Sequence, residues 1–156
     1  MKKVKTLYGI NSHNIPRDVI NSAEPVVLKQ LVGNWPMVQA GRVSDSESVG
    51  YLKSFYNGNP TIVCKISAKN KGRMFYSDDC TKLDYESFKG RIDETLDAIL
   101  TGHPTDDPAY YIASNIIDTH LLGFRRENDL AIPREIHPDA MDERVSIWIG
   151  GATTAT

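Results

Sequence analysis

Four histidines (His13, His103, His120 and His137) and two cysteines (Cys64 and Cys80) are the side chains of this 156-residue chain best suited to hold a metal or attack a substrate. A mononuclear non-haem metal site needs two histidines and one carboxylate on one face of the ion, with the remaining positions free for small molecules. One literal His-x-Asp occurs, at His137-Pro138-Asp139. No histidine follows it to complete the set, and Pro133 and Pro138 mark the stretch as an irregular, solvated loop. His103 follows Gly102, where an imidazole suits the C-terminus of a preceding helix. His120, beside Leu121 and Leu122, reads as a core or boundary residue, and His13 lies in a polar N-terminal stretch. No catalytic residue and no metal ligand is therefore assigned within the chain.

Neither cysteine opens a C-x-x-C or similar ligand spacing. Cys64 alternates with Ile62 and Ile66, which favours a small buried apolar side chain over a reactive thiol. Asp78-Asp79 offers two adjacent carboxylates without further oxygen ligands, a pattern better suited to a solvated loop than to a cation site.

Composition narrows the class. A chain that is 40% hydrophobic and 24% charged sits near the average for a globular domain, and its length fits one domain able to bury a core without disulfides or metals. Eighteen Lys and Arg against 20 Asp and Glu leave a net charge of -2, which gives no electrostatic footprint for nucleic acid beyond a small local patch. No secretory apolar region follows Met1-Lys2-Lys3 and no apolar run approaches membrane-spanning length, so a cytoplasmic setting with no membrane partner is the default.

The elements that must position these groups can be read from patterning. Pro16 opens a short helix over about residues 16 to 24. Val26-Val27-Leu28 reads as a short buried strand, and Pro36 restricts Trp35 to an extended conformation after the Gly33-Asn34 turn. Ser44-Asp45-Ser46-Glu47 is a capping box ahead of an apolar face of Val49, Leu52 and Phe55 or Tyr56, with Gly58 as a stop. Thr61 to Ser67 alternates as a strand, and Lys69-Asn70-Lys71-Gly72 has the turn chemistry to pair it with Arg73 to Ser77 in a hairpin. A helix is predicted from about Asp84, its N-cap, to Thr101, with Phe88, Ile92, Leu96, Ile99 and Leu100 on one face. Ala109 to Ile117 reads as a buried strand, Leu121 to Phe124 as a short helix or turn, Asn128 to Arg144 as irregular, and Val145 to Ile149 as the last strand. Trp35 and the Phe75-Tyr76 pair read as packing residues.

Two stretches carry a family resemblance. Glu24-Pro25-Val26-Val27-Leu28-Lys29-Gln30-Leu31-Val32-Gly33-Asn34-Trp35-Pro36 resembles the N-terminal signature of cupin-like proteins of the JmjC type. Ser146-Ile147-Trp148-Ile149-Gly150-Gly151-Ala152-Thr153-Thr154-Ala155-Thr156 resembles the run that precedes their first metal ligands. The resemblance implies an Fe(II)/2-oxoglutarate-dependent oxygenase whose His-x-Asp motif would follow Thr156; His137-Pro138-Asp139 lies before the last strand and does not match it. It implies an α+β fold in which N-terminal helices and a hairpin lead into an incomplete double-stranded β-helix, or jelly roll. Residues 1–156 would be a single partial domain lacking the C-terminal strands.

Fe(II) and 2-oxoglutarate are then cofactors of the full-length protein, and tight binding of either to this chain alone is not expected. In the asparaginyl hydroxylase branch, a Tyr on an early core strand and a Thr three residues before the first metal histidine contact the 2-oxoglutarate carboxylate. Tyr111 and Thr154 match those positions. Tyr110 and Tyr111 alternate in facing, so only one of them points into the barrel.

The expected function is the N-terminal part of a hydroxylase acting on a protein, an RNA or a small molecule, catalytically incomplete as it stands. Unpaired strand edges would favour a homo-oligomer or self-association. The alternatives are a non-catalytic cupin-like binding or interaction module and a truncated reading frame without a function of its own.

Overall fold

In the computed structural model, which describes residues 3–74, 76–102, 107–130 and 144–151, six strands and five helices follow one another along the chain. They are β1 (Lys5–Leu7), α1 (Arg17–Ile20), β2 (Val26–Leu28), α2 (Pro36–Val43), α3 (Asp45–Lys53), β3 (Thr61–Ile66), β4 (Tyr85–Gly90), α4 (Ile92–Thr101), β5 (Ala109–Ile116), α5 (Ile117–His120) and β6 (Ser146–Gly150). Short 3-10 turns occupy Ala68–Asn70 and Phe124–Arg126. β1 and β2 form a parallel two-stranded ribbon, and the other four strands form an antiparallel sheet in the order β4-β3-β5-β6. The fold is thus mixed α+β.

Cross-strand partners share one face of a sheet and successive residues alternate between faces. Cys64 pairs with Tyr111 and Tyr111 with Gly150, while Ile112 pairs with Ile149 and stands in line with Val63. Val63, Ile112 and Ile149 are buried together with Leu52 of α3, Ile92 and Leu96 of α4, and Ile117, Leu121 and Phe124. The helices therefore cover the Val63–Ile112–Ile149 face, and the Cys64–Tyr111–Gly150 row belongs to the other. The Ile112–Ile149 and Asn115–Ile147 pairs are separated by a bulge that holds Ser114 at φ 48°. It inserts one extra residue on β5, so Asn115 returns to the helix-facing side. There Asn115 is buried and its amide donates to the Thr61 hydroxyl.

Several local readings meet the structure directly. The Ser44 hydroxyl accepts from the Glu47 N–H at 3.0 Å, as a cap should. The reciprocal half of the capping box is replaced, because the Ser44 N–H already donates to the Ala40 carbonyl at the end of α2. α2 itself was not foreseen: Trp35 is extended (φ -63°, ψ 135°), but as the N-cap of a helix that starts on Pro36. The expected stop at Gly58 also falls later than the last helical residue, Lys53. Gly58 instead takes φ 83° in the loop leading to β3, where its carbonyl accepts from Arg91 at 3.4 Å.

Two larger expectations are corrected. The partner of β3 is β4 and not Arg73 to Ser77: all six residues of Thr61–Ile66 pair with Tyr85–Gly90. Lys71 and Gly72 do take left-handed conformations (φ 51° and 74°), so the turn chemistry was sound, but the chain makes an excursion before pairing. Asn70 closes it by donating to the Asp84 carbonyl (3.1 Å) and carboxylate (2.8 Å). Within it Tyr76 bridges Leu83 and the Ser77 N–H donates to the Lys82 carbonyl.

The helix predicted from Asp84 consequently begins only at Ile92, with Arg91 as N-cap. The Phe88–Ile92 spacing fits a helical period, but Phe88 is exposed on a strand and pairs with Val63. Gly90 ends β4 where an added Cβ would meet Val63 at 2.9 Å and the Phe88 ring at 3.0 Å. Only hydrogen fits there without movement.

The face assignment has a measurable consequence. Truncating Ile112→Ala removes a fully buried side chain and is expected to cost about 2–5 kcal/mol. Ile62→Ala, on the opposite face and about half exposed, is expected to stay within roughly 0.5 kcal/mol to 1 kcal/mol. Urea unfolding of both variants checks this, and equal losses would show that the faces are wrongly assigned.

Candidate functional site

The pleat of β5 separates the two adjacent tyrosines. Tyr110 packs against the core cluster on the helix side. It lines a cavity of about 630 Å³ with Met37, Leu52, Leu96, Ile99 and Ile149, a lining that is mostly hydrocarbon. Tyr111 lies on the other face, half-buried, between Cys64 on β3 and Gly150 on β6. Both flanks are small, so the phenol is not crowded by large cross-strand side chains. Its hydroxyl makes no hydrogen bond to another described residue.

By the same alternation Ile62 and Trp148 stand on the face of Tyr111, and each is more than half exposed. The chemistry this arrangement offers is that of a free hydroxyl donor set among apolar neighbours, which suits an acceptor such as a carboxylate. Cys64, directly beside Tyr111, is buried and unbridged, and burial pushes its thiol up from the ordinary value.

Of the residues singled out in the sequence, the structure describes Tyr111, His13, His120, Cys64, Cys80, Asp78 and Asp79. Thr154, His103 and His137-Pro138-Asp139 lie outside the described residues. His13 is exposed. His120 is half-buried at the end of α5, and its Nδ1 is buried without a hydrogen-bond partner. Among the described residues no three His, Cys, Asp or Glu side chains come together in a way that would hold a metal ion. The described donors therefore do not by themselves make an iron site.

Asp79 belongs to a local turn. Its carboxylate accepts from the Ser77 hydroxyl (2.6 Å), the Thr81 N–H (3.1 Å) and the Thr81 hydroxyl (2.8 Å). The Ser77 hydroxyl bond, then those from Thr81, hold its pKa down to about 2. Adjacent Cys80 is exposed at φ 57°. Cys64 and Cys80 are separate free thiols.

What sequence reasoning missed is the pair of residues flanking Tyr111. Cys64 and Gly150 lie far from it along the chain, and only the strand register brings them alongside. The exposure of Trp148, on the same face as Gly150, is likewise not evident from its place in the last strand.

The match to known proteins agrees with this architecture. The profile of the cupin-like domain matches residues 12–156, and the chain belongs to that family. No curated protein and no solved structure matches it significantly. No described helix is long and apolar enough to cross a membrane.

The two thiols provide a test of this geometry. A thiolate is the reactive form, so a raised pKa lowers the reactive fraction of Cys64 at every pH below it, and burial adds a steric barrier. Iodoacetamide at mildly alkaline pH is expected to modify Cys80 in the folded protein and Cys64 only after unfolding. Peptide mass mapping reads this out, and equal native labelling of both would contradict the buried position of Cys64 beside Tyr111.

Proposed function

We propose that the chain is the N-terminal, cosubstrate-anchoring part of an Fe(II)/2-oxoglutarate-dependent hydroxylase acting on a protein side chain, an RNA base or a small molecule. The observation that carries this reading is Tyr111. It is a tyrosine on an inner strand of a cupin-like sheet, on the face away from the helices, with an unpartnered hydroxyl and small neighbours on both sides. In this reading the sheet is the first part of a jelly roll whose further strands follow Thr156, and Thr154 supplies a second hydroxyl three residues before the first metal histidine. The iron ligands would likewise come from residues after Thr156. Bound together, iron and 2-oxoglutarate supply the oxidising power for hydroxylation. The part of this chain is to bind and orient, with Tyr111 and Thr154 donating to one carboxylate of the cosubstrate while Cys64 and Gly150 leave room for it.

A second reading, a non-catalytic cupin-like binding module, is favoured by the lack of a metal-ligating cluster among the described residues and by the exposed Ile62 and Trp148 beside Tyr111. In it the same face buries a partner in place of a cosubstrate. In either case strand β6, at the edge of the sheet, is where further strands or a second copy would add.

The readings separate on the sequence after Thr156 and on cosubstrate dependence. A His-x-Asp directly following Thr156 supports the oxygenase. In an active protein extended through those residues, Tyr111→Phe and Thr154→Val each remove one hydrogen bond to a charged acceptor, about 1.5–3 kcal/mol. The expected result is a rise of roughly ten-fold or more in the apparent 2-oxoglutarate constant with the fold intact. Steady-state kinetics against 2-oxoglutarate measure this, and unchanged dependence in both variants would overturn the assignment.

A further inference from the structure

The turn after β2 builds a second, differently charged pocket. The Lys29 N–H donates to the Leu7 carbonyl at 2.9 Å, continuing the β1–β2 ribbon by one residue. Gln30 then takes φ 60° and reverses the chain, and its carbonyl accepts from the Gly33 N–H at 2.9 Å. The Gly33 carbonyl in turn accepts from Gln39 Nε2 and, at 3.3 Å, from Arg42 Nη1, which brings the last turn of α2 against the loop. Gly33 lies so close that an added Cβ would stand 3.5 Å from Arg42 Nη2.

The result is a cavity of about 320 Å³ whose lining includes Lys29, Arg42, Asn11, Gln30, Asn34 and Gly33, with no carboxylate residue among those that line it. Neither Lys29 nor Arg42 has an ion-pair partner among the described residues. Two like charges sharing one pocket repel and are left unneutralised in a chain whose net charge is -2. This concentration of cations is therefore a local feature and not the outcome of a basic composition. None of the lining residues belongs to the four-stranded sheet that carries Tyr111.

We propose that this pocket binds the dianionic phosphate group of a small phosphomonoester or of free phosphate, held between the Lys29 ammonium and the Arg42 guanidinium. A planar guanidinium presents a fork of donors that matches phosphate oxygens, and an ammonium adds a compact point charge. The side-chain amides of Asn11, Gln30 and Asn34 supply further donors around the rim. Two cations without an acid match a phosphomonoester, which carries about -1.5 to -2 at neutral pH, better than a singly charged carboxylate. The volume lies at the small end for ligand sites, which suits a phosphate with a short organic group. Because Lys29 and Arg42 are exposed, the binding is salt-sensitive and of modest affinity.

Titration of the isotope-labelled full chain with inorganic phosphate, glycerol phosphate and acetate, followed by amide NMR, tests the proposal. Saturable shifts confined to residues 29–34, Asn11 and Arg42 are expected for the phosphates, with acetate much weaker. Inorganic phosphate binding without glycerol phosphate would assign the pocket to free phosphate, and binding of both would assign it to phosphomonoesters. Lys29→Gln is expected to weaken binding by about ten-fold or more, as the loss of one charge-assisted contact implies. Arg42→Gln should do so at least as strongly, while Lys89→Gln on the distant β4 changes nothing. Arg42 also holds the Gly33 loop; should its variant fail to fold, Lys29→Gln, whose side chain is exposed and makes no hydrogen bond or ion pair with a described residue, decides the matter alone. Non-saturating shifts, equal responses to acetate and phosphate, or phosphate binding unchanged in Lys29→Gln would each overturn the proposal.

Discussion

Ile112 stands in the middle of the sheet between Val63 and Ile149, fully buried in the same apolar cluster as Leu52, Leu96 and Leu121. Strand alternation has a period of two, so burying this one side chain fixes the direction of every other residue on β5 before the bulge. Tyr110 must then face the helices and Tyr111 must face away. A slip of one residue would exchange them and would bury Tyr111 in the hydrocarbon packing that Tyr110 now shares. The candidate site thus rests on apolar burial at a neighbouring position, on the opposite face from the chemistry it orients.

The helical layer is held to that face by a buried amide as well as by hydrocarbon. Asn128 is 3% exposed. Its Oδ1 accepts from the Met37 N–H at the start of α2 (3.0 Å), while its Nδ2 donates to the Tyr51 hydroxyl of α3 and to the Phe124 carbonyl (3.0 Å each). One side chain therefore satisfies an orphan donor at a helix N-terminus and ties three segments together. Tyr51, Phe55 and Phe124 pack together, Phe55 edge to face with each of the other two and Tyr51 tilted against Phe124, with centroids 5.1 to 6.2 Å apart. Arg91, the N-cap of α4, performs a similar tie at the surface. It chelates Asp93 (2.6 and 3.0 Å), reaches the Gly58 carbonyl and lies 5.6 Å from the centre of the Tyr56 ring.

Local chemistry was legible in the sequence wherever it acts over a few residues. The Ser44 cap, the extended Trp35 before Pro36, the strand at Thr61 to Ile66 and the Tyr-rich strand at Ala109 all stand where side-chain type and spacing put them, although β3 buries Val63 on the helix side and exposes Ile62, which the alternation of its apolar residues did not indicate. What failed was partner choice. Arg73 to Ser77 and Tyr85 to Gly90 both follow β3, and the turn residues at 69–72 favour the nearer one. The pairing is decided instead by six cross-strand contacts, with Gly90 fitting against Val63, and one chain read alone does not reveal them. The same holds for the site: Tyr111 could be singled out, but the flanks that leave its hydroxyl accessible come from strands about forty to fifty residues away along the chain. Asn128 shows a further limit, since an asparagine at the start of a proline-containing sequence gives no sign that it will be the buried hub of the helical layer.

The free hydroxyl of Tyr111 also constrains whatever covers its face. While the ring is half-buried, water can serve the hydroxyl and no cost arises. Once further strands or a partner close over Ile62 and Trp148, water is excluded. An unpaired hydroxyl would then cost about 1–3 kcal/mol, a sizeable part of the stability of a domain this size. Any apolar cover must therefore either stop short of Tyr111 or bring an acceptor to it. Cys64, with its raised thiol, is a weak acceptor at best, and Gly150 brings no side chain. Neither flank therefore supplies the acceptor, and an occupant that carries one would remove the cost.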